Sequence, residues 1–308
     1  MTITRAQASE LLEPKLSKIW YEAYPQWPMK YTAFVNTRNT QKAVVTDWRM
    51  TDFGPLVLKA EGQAISYDDW IPGDEKTYTP IRKALGYKIT QEMQDHELYG
   101  VVPRLENGLM RSAIHDIEVT SHLLFNNGFG TTNADGFNAT GFDGLALFST
   151  AHTRLDGGTN FSNRAATDAD LSVTSLQQGI KDFDVLVDDR GRPSFIQAKI
   201  LMIHPSEKFT ARELLQSEFK PGTANNEVNA LQDEGLSFMI SPYLTDSDAW
   251  FLLGDQHDLN LIWDVTPRTA MKADGDEGFD NEVIKRKVVQ GYALGHGEAR
   301  GVYGTSGG

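Results

Sequence analysis

Residues 54–89, GPLVLKAEGQAISYDDWIPGDEKTYTPIRKALGYKI, decide how the rest of the chain is read. Two runs of strand-forming composition, Leu56–Tyr67 and Thr77–Ile89, flank the turn-rich centre Asp68-Asp69-Trp70-Ile71-Pro72-Gly73-Asp74. In the second run Ile81, Lys83, Leu85, Tyr87 and Ile89 share one face by the two-residue period of a strand, with Arg82, Gly86 and Lys88 on the other. The pattern predicts a long two-stranded ribbon with one mixed, partly apolar face and with Trp70, Ile71 and Pro72 at its tip. Two strands are marginal in water because nothing covers their apolar side. Trp70, Ile71, Pro72, Tyr78, Ile81 and Leu85 are therefore candidate contact residues. Either the ribbon folds back onto its own domain or it lies on another subunit.

A chain of 308 residues can bury a full core and suggests about two domains. Its 40% hydrophobic and 23% charged content is that of an ordinary soluble globular protein, and no run approaches the ~18–20 apolar residues of a membrane span. The opening residues Met1–Gln7 lack the apolar stretch of a signal peptide, which points to the cytoplasm. The absence of cysteine removes disulfides, thiolate nucleophiles and cysteine-ligated metals together. A net charge of −13 argues against a surface that grips nucleic-acid phosphates tightly, without excluding a protein that sits beside nucleic acid.

Residues 4–24 carry helical spacing (Leu11, Leu12, Leu16, Ile19, Trp20) behind a Thr4 cap, with a kink at Pro14 and a stop at Pro25 and Pro28. Tyr31–Trp48 reads as extended, so the front of the chain resembles an arm more than a domain. Thr90 caps a short helix, Gln91–Leu98, that Gly100 ends. Pro103 then opens a long helix to about Asn126 on the stripe Leu105, Leu109, Ala113, Ile117 and Leu124; at 1.5 Å per residue it is about 35 Å long, a spine. Gly128–Asp170 is rich in Gly, Asn, Thr and Asp and too long for a structureless loop in a compact domain. Its aromatic anchors, Phe142, Phe148 and Phe161 among them, argue for order imposed from beyond its own domain.

From Leu171 the pattern is regularly α+β. Helices are expected at Val173–Val187 and Glu207–Gln216, the second broken by Lys220-Pro221-Gly222. Strands are expected at Lys199–His204, Leu236–Ser241, Ala249–Leu253, Leu259–Val265 and Glu282–Gly295, with an acidic turn at Asp274–Gly278.

Several motifs invite an enzymatic reading, and none completes it. Gly304-Thr305-Ser306-Gly307-Gly308 matches G-x-S-x-G, but a nucleophile elbow needs a helix after the serine. Asp274, Asp276, Asp280 and Glu282 suggest a calcium loop, yet Phe279 and Lys285 occupy the positions that require glycine and glutamate. The histidines form no H-x-x-x-H pair, and His115 and His122 lie about 10 Å apart along the spine, too far for one metal. Gly295-His296-Gly297 lacks the later glycine of a dinucleotide fingerprint. The pairs Asp68-Asp69 and Asp188-Asp189 sit in turns, where Asp is expected anyway. No catalytic residue, cofactor or metal is expected.

At Gly141-Phe142-Asp143-Gly144-Leu145-Ala146-Leu147-Phe148-Ser149-Thr150-Ala151-His152, followed by Gly157-Gly158-Thr159-Asn160-Phe161-Ser162-Asn163, the chain resembles tailed-bacteriophage major capsid proteins, most of all the Mu-like major head subunit group. Ile203-His204-Pro205-Ser206-Glu207 and Arg300-Gly301-Val302-Tyr303-Gly304 are similar to that group as well. The resemblance implies the Hong Kong 97-type capsid fold: an N-terminal arm (1–52), an extended loop (53–89), a peripheral domain (90–170 and 268–308) holding the spine helix (103–126), and an axial domain (171–267). It implies self-assembly into the hexamers and pentamers of an icosahedral shell in the host bacterial cytoplasm. It also implies a portal protein, a separate scaffolding protein and packaged double-stranded DNA as partners, the DNA held without sequence-specific contacts. The ribbon would then lie on a neighbouring subunit, with Phe142, Phe148 and Phe161 joining Trp70 and its companions at subunit contacts. Some relatives cross-link lysines of this loop; Lys59 and Lys76 lie in the right region, but no acceptor motif matches. The alternatives are an encapsulin-type compartment of the same fold and a soluble hydrolase using Ser306.

Overall fold

In the computed structural model, which describes residues 15–22, 24, 28–90, 92–93, 101–219, 228–273 and 283–308, the spine stripe winds into helix α1 (Val101–Asn126). One side of α1 is buried, including Leu109, Met110, Ala113, Ile117, Leu124 and Phe125. That side lies on a sheet in the order β1 (Asn36–Asn39), β9 (Leu259–Ala273), β10 (Val283–His296) and β4 (Ile81–Thr90), with β5 (Phe137–Asn138) beside the end of β10. β10 runs antiparallel to both β9 and β4, and β1 is parallel to β9.

Apolar contact alone does not dock the helix. Glu106 accepts from the Arg286 guanidinium at 3.0 Å on each carboxylate oxygen and from the Tyr87 hydroxyl at 3.0 Å. Nearly three turns further on, Asp116 accepts from Gln290 and Tyr292 at 2.7 Å each and from Lys83 at 3.0 Å. These partners come from alternate residues of β10 and β4, which the two-residue period places on one face.

A second sheet takes the order β11 (Val302–Thr305), β8 (Trp250–Gly254), β6 (Ala198–Ile203) and β7 (Ser237–Ile240). Helices α2 (Val173–Asp184) and α3 (Lys208–Gln216) cover it, and Leu176, Phe183, Leu201, Ala211, Leu214, Trp250 and Leu252 share one core. Ser172 and Ser175 close a capping box on α2. Phe125, Phe148, Met202, Phe251, Leu261 and Tyr292 form a cluster that draws on both sheets and on α1, so the two layers are welded. A third, two-stranded sheet joins β2 (Val45–Met50) to β3 (Pro72–Tyr78).

This third sheet corrects the ribbon. Leu56–Tyr67 is not a strand, and the chain reverses inside it, at Glu61-Gly62, where Gly62 takes φ 79 and Gln63 N–H reaches Ala60 O at 3.1 Å. The Thr77–Ile89 run divides at Thr79-Pro80: β3 turns back to β2 while β4 enters the first sheet. Proline has no N–H to continue a ladder, so the break falls there. Trp70, Ile71 and Pro72 stand at the foot of the loop rather than its tip.

Two further expectations shift. β9 continues through Pro267 and pairs with β10 from Ala273↔Ile284 to Leu259↔His296, so Leu259–Val265 belongs to the first sheet. Conversely β11 pairs with β8 in the second. Gly128–Asp170 is ordered by its own chain: Asn163 donates to Leu147 O at 2.7 Å and Ala299 O at 3.0 Å, and His152 meets Asp143 at 2.7 Å. The Thr4 cap, Leu11, Leu12, Pro14, Pro25, the helix beyond Met93 with Gly100, the 220–222 break and the 274–282 turn lie outside the described residues. Among the described residues no helix is long and apolar enough to cross a membrane.

Because Glu106 and Arg286 are both fully buried, removing one strands the other as an unpaired charge. Glu106→Ala is expected to cost about 3–5 kcal/mol, and Glu106→Leu with Arg286→Met to recover most of that loss. Denaturant unfolding measures both; a single variant within about 1 kcal/mol of the parent contradicts the docking argument.

Candidate assembly site

Residues 51–71 leave β2 and return as β3, and their two legs are tied together at the base. Thr51 N–H donates to Ile71 O at 3.2 Å, Ile71 N–H to Thr51 Oγ1 at 2.9 Å, and Gly54 N–H to Asp68 Oδ2 at 2.6 Å. The bond from Gly54, with Arg190 nearby, holds the Asp68 carboxyl below its ordinary range.

The tie is gripped from the body by the turn Asp188–Pro193. Asp188 accepts from the N–H groups of Arg190 and Arg192 at 2.8 Å each, and Gly191 takes φ 77, which glycine adopts without strain. Thus shaped, the turn aims Arg190 at both legs: Nε donates to Asp52 O at 3.0 Å and Nη2 to Asp69 O at 2.6 Å. Arg192 bridges Asp188 at 2.7 Å and Asp52 at 3.3 Å.

Beneath it lies a buried ionic knot. Arg49, on β2, grips Asp189 with Nη2 at 2.6 Å and Nε at 3.1 Å and donates to Thr153 O at 3.1 Å. Arg300 reaches the same Asp189 at 2.8 Å, Glu298 at 2.9 Å and Val187 O at 2.6 Å, and its guanidinium lies 4.3 Å from the Phe161 ring centre. Two arginines face two carboxylates, so the knot is balanced.

Past this anchor no hydrogen bond or ion pair among the described residues joins the loop to the body, and its large apolar side chains are exposed. Leu56 and Leu58 are 103% and 95% exposed, Tyr67 is 91% exposed, and Phe53, Val57 and Ile65 stand in water as well. Exposed apolar side chains gathered on one loop are the usual signature of a surface that meets a partner.

The candidate contact residues separate into two groups. Trp70, Pro72, Ile81 and Leu85 are exposed, with Ile71 and Phe142 half-buried. Tyr78, Phe148 and Phe161 are 1%, 1% and 8% exposed, packed in this chain's own cores, and offer a neighbour no surface. That corrects the expectation for those three: an aromatic in a glycine-rich segment anchors the segment inward. The loop's apolar residues and the knot of Arg49, Asp189 and Arg300 were not among the candidates. The consecutive Leu56-Val57-Leu58 was the available signal, since a run that does not alternate has no single face to bury.

The other singled-out groups are structural in their placement. Lys76, expected near a cross-linking position, is buried on β3; burial pushes its ammonium down to about 8 against the pull of Asp143 and Asp258. Lys59 is exposed on the loop. Gly304 and Thr305 lie in β11, and Ser306 bonds Asp168 rather than beginning a helix. His122 is fully buried between Glu118 O at 2.6 Å and Ser241 Oγ at 2.7 Å, while His115 is exposed beside Tyr243. Among the described residues no three His, Asp or Glu side chains are placed to hold a metal.

Two predictions follow from this geometry. Arg190→Ala should speed amide exchange at Thr51, Gly54 and Ile71 by roughly tenfold, because a hydrogen bond to a charged group is worth about 1.5–3 kcal/mol, while leaving α1 unchanged. Equal exchange in parent and variant would show that the turn does not hold the legs. The second concerns acid. Burial pushes His122 down to about 4 and His296 to about 3, so the unfolded chain binds protons near 6.5 that the folded chain refuses. Stability is therefore lost as pH falls, by about 3 kcal/mol between pH 6.5 and 5 for the two together. Glu118, raised by burial, opposes this toward the lower end. Urea midpoints across that range check it, and His122→Gln with His296→Asn should flatten the curve.

The chain superposes on the capsid of cyanophage P-SCSP1u with a TM-score of 0.60 and 9% identity, covering 90% of this chain and 87% of that one. The bacteriophage JBD30 capsid gives 0.57 and 13%, covering 71% and 92%. The capsid of an empty GTA particle gives 0.57 and 10%, covering 90% of each. At these identities the likeness establishes the Hong Kong 97-type fold. No curated protein sequence matches the chain. A family model of phage capsid proteins matches residues 74–304, which span most of the chain, α1 and all of the two larger sheets but β1 and the last residue of β11. The chain belongs to the phage capsid protein family.

Proposed function

We propose that this major capsid protein, a structural component of a phage head, closes into hexamers and pentamers of an icosahedral shell by laying its 51–71 loop across a neighbouring copy. One observation carries the reading: Leu56, Leu58 and Tyr67 are held out in solvent by a loop whose base is gripped by Arg190 and the Arg49–Asp189–Arg300 knot. A rigidly presented apolar surface implies a second surface that covers it. In this reading the residues up to β2 form the arm and α1 with the first sheet forms the peripheral domain. The second sheet with α2 and α3 forms the axial domain. Trp70, Ile71, Pro72, Ile81, Leu85 and Phe142 border the contact. Assembly takes place in the host cytoplasm with a separate scaffolding protein and a portal, and the shell encloses double-stranded DNA.

The net charge of −13 sets the conditions. Copies repel one another at long range, and screening by salt relieves this, so assembly should quicken with ionic strength. Light scattering and negative-stain microscopy, with and without a candidate scaffolding protein, test the reading. Closed particles are expected from the parent and none from Leu56→Asp with Leu58→Asp. Both leucines are already solvated, so the variant's monomer should melt within about 0.5 kcal/mol of the parent. Normal particles from that variant, or assembly fastest at the lowest salt, would sink it.

A further inference from the structure

The face of the first sheet turned away from α1 carries a strip of positive charge. Arg82, Ala84, Gly86 and Lys88 of β4 stand opposite Gly291, Val289, Lys287 and Lys285 of β10, and Val289 stands opposite Arg268 of β9. Directly opposed residues share a face, and the other face is the one whose Lys83, Tyr87, Arg286 and Gln290 meet α1. Arg82, Lys88, Arg268 and Lys287 are exposed, and Arg82 contacts Asp264 at 2.9 Å. Lys88 lies directly across from Lys285 in the register of the two strands. At about 3.3 Å per residue the strip runs about 20 Å from Arg82 to Lys88, the rise of roughly six base pairs.

The chain as a whole is strongly acidic, so this clustering of cations runs against its composition. The ground between them is Ala84 and Gly86 on β4 and Gly291 on β10, with Val289 the one larger apolar residue. The acidic loop of another copy, with Asp52, Glu61, Asp68 and Asp69, would satisfy the charge, but the described strip offers Leu56, Leu58 and Tyr67 only Val289 as a larger apolar partner. Lysines and arginines separated by small residues suit a polyanion that brings phosphates and no greasy side chains. The strip has neither amides for base edges nor aromatics for stacking.

We propose that this strip contacts the phosphate backbone of duplex DNA without reading its sequence. The inference rests on the shell reading and adds to it the surface that meets the contents. Each phosphate neutralised contributes about 0.9 to the slope of log affinity against log salt. Titrating a short labelled DNA duplex with the full chain should show weak, salt-sensitive binding. Lys88→Gln, Arg268→Gln and Lys287→Gln together should lower that slope by about 2.7, so that between about 50 and about 200 mM salt the parent loses about 40-fold more affinity than the variant. A control with the same change in charge, Lys42→Gln, Lys199→Gln and Arg212→Gln, should keep the parent's slope. No binding by the parent, an unchanged slope in the strip variant, or an equal loss in the control would overturn the proposal. So would a strip variant that binds DNA normally but no longer forms particles, which would make the face a contact between copies. Failure of the parent to form particles counts against the shell reading instead, because the binding titration does not depend on particles.

Discussion

Asp189 is shared by two buried arginines, and the direction of the projecting loop depends on that arrangement. The loop has no ladder of its own beyond its base, and Leu56, Leu58 and Tyr67 stand almost wholly in solvent. What fixes it is the strand β2 pinned through Arg49, and the neighbouring turn whose Arg190 crosses both legs. A buried ion pair is weak support for stability, since desolvation offsets most of the attraction. Its better-attested use is to select one geometry among several, which on the proposed reading sets the direction in which the loop is presented. Hydrophobic packing at the same place would be less directional and would leave the limb's angle to chance.

The same division of labour recurs at α1. The apolar stripe brings the helix onto the sheet, while Glu106 and Asp116 fix its position along β10 through Arg286, Gln290 and Tyr292. Sliding the helix by one turn would leave the apolar stripe roughly in place but strand both carboxylates. At 1.5 Å per residue the 26 residues of α1 form a rod of about 39 Å, and the core shared by Phe125, Phe148 and Phe251 ties that rod to the second sheet. A subunit that transmits force through a shell is better built from such keyed elements than from ones that can creep.

The long helix and most strands of the second sheet were legible because burial on one side writes a period into the sequence. The Leu105–Leu124 stripe and the run at residues 199–203 are plain examples. The loop was misread for an equally physical reason. Val, Ile, Leu and Tyr favour strands because they pack on a half-buried pleated surface, and residues 56–67 have that composition with no such surface in the free chain. The 128–170 segment escaped because its order comes from side chains such as Asn163 and Asp143 bonding to backbone and to His152, contacts that leave no period. The knot was invisible for want of locality: Arg49 and Asp189 are 140 residues apart, and Arg300 lies 111 beyond Asp189. The resemblance at Arg300-Gly301-Val302-Tyr303-Gly304 touched the knot without revealing its partners.

On the proposed reading, in which the loop lies across a neighbouring copy, a protein that displays bare leucines before assembly faces a conflict between assembly and aggregation. Its charge distribution answers that conflict. Asp52, Glu61, Asp68 and Asp69 lie in or beside the exposed stretch; Arg192 and Arg190 pair with Asp52 and Asp68 at its base, which leaves Glu61 at the outer turn, Asp69 and the single cation Lys59. Carboxylates flanking an exposed apolar run act as gatekeepers, because two loops meeting face to face would bring like charges together before the leucines touch. The apolar surface is thus available to a complementary body and closed to its own likeness. Screening falls off over about 8–10 Å at ordinary ionic strength, so the protection acts at the range where a wrong encounter begins and matters little once a correct contact has expelled its water. Rigid presentation without this acidic guard would give precipitate, and the guard without the rigid base would give a limb that seldom meets its seat in the right pose.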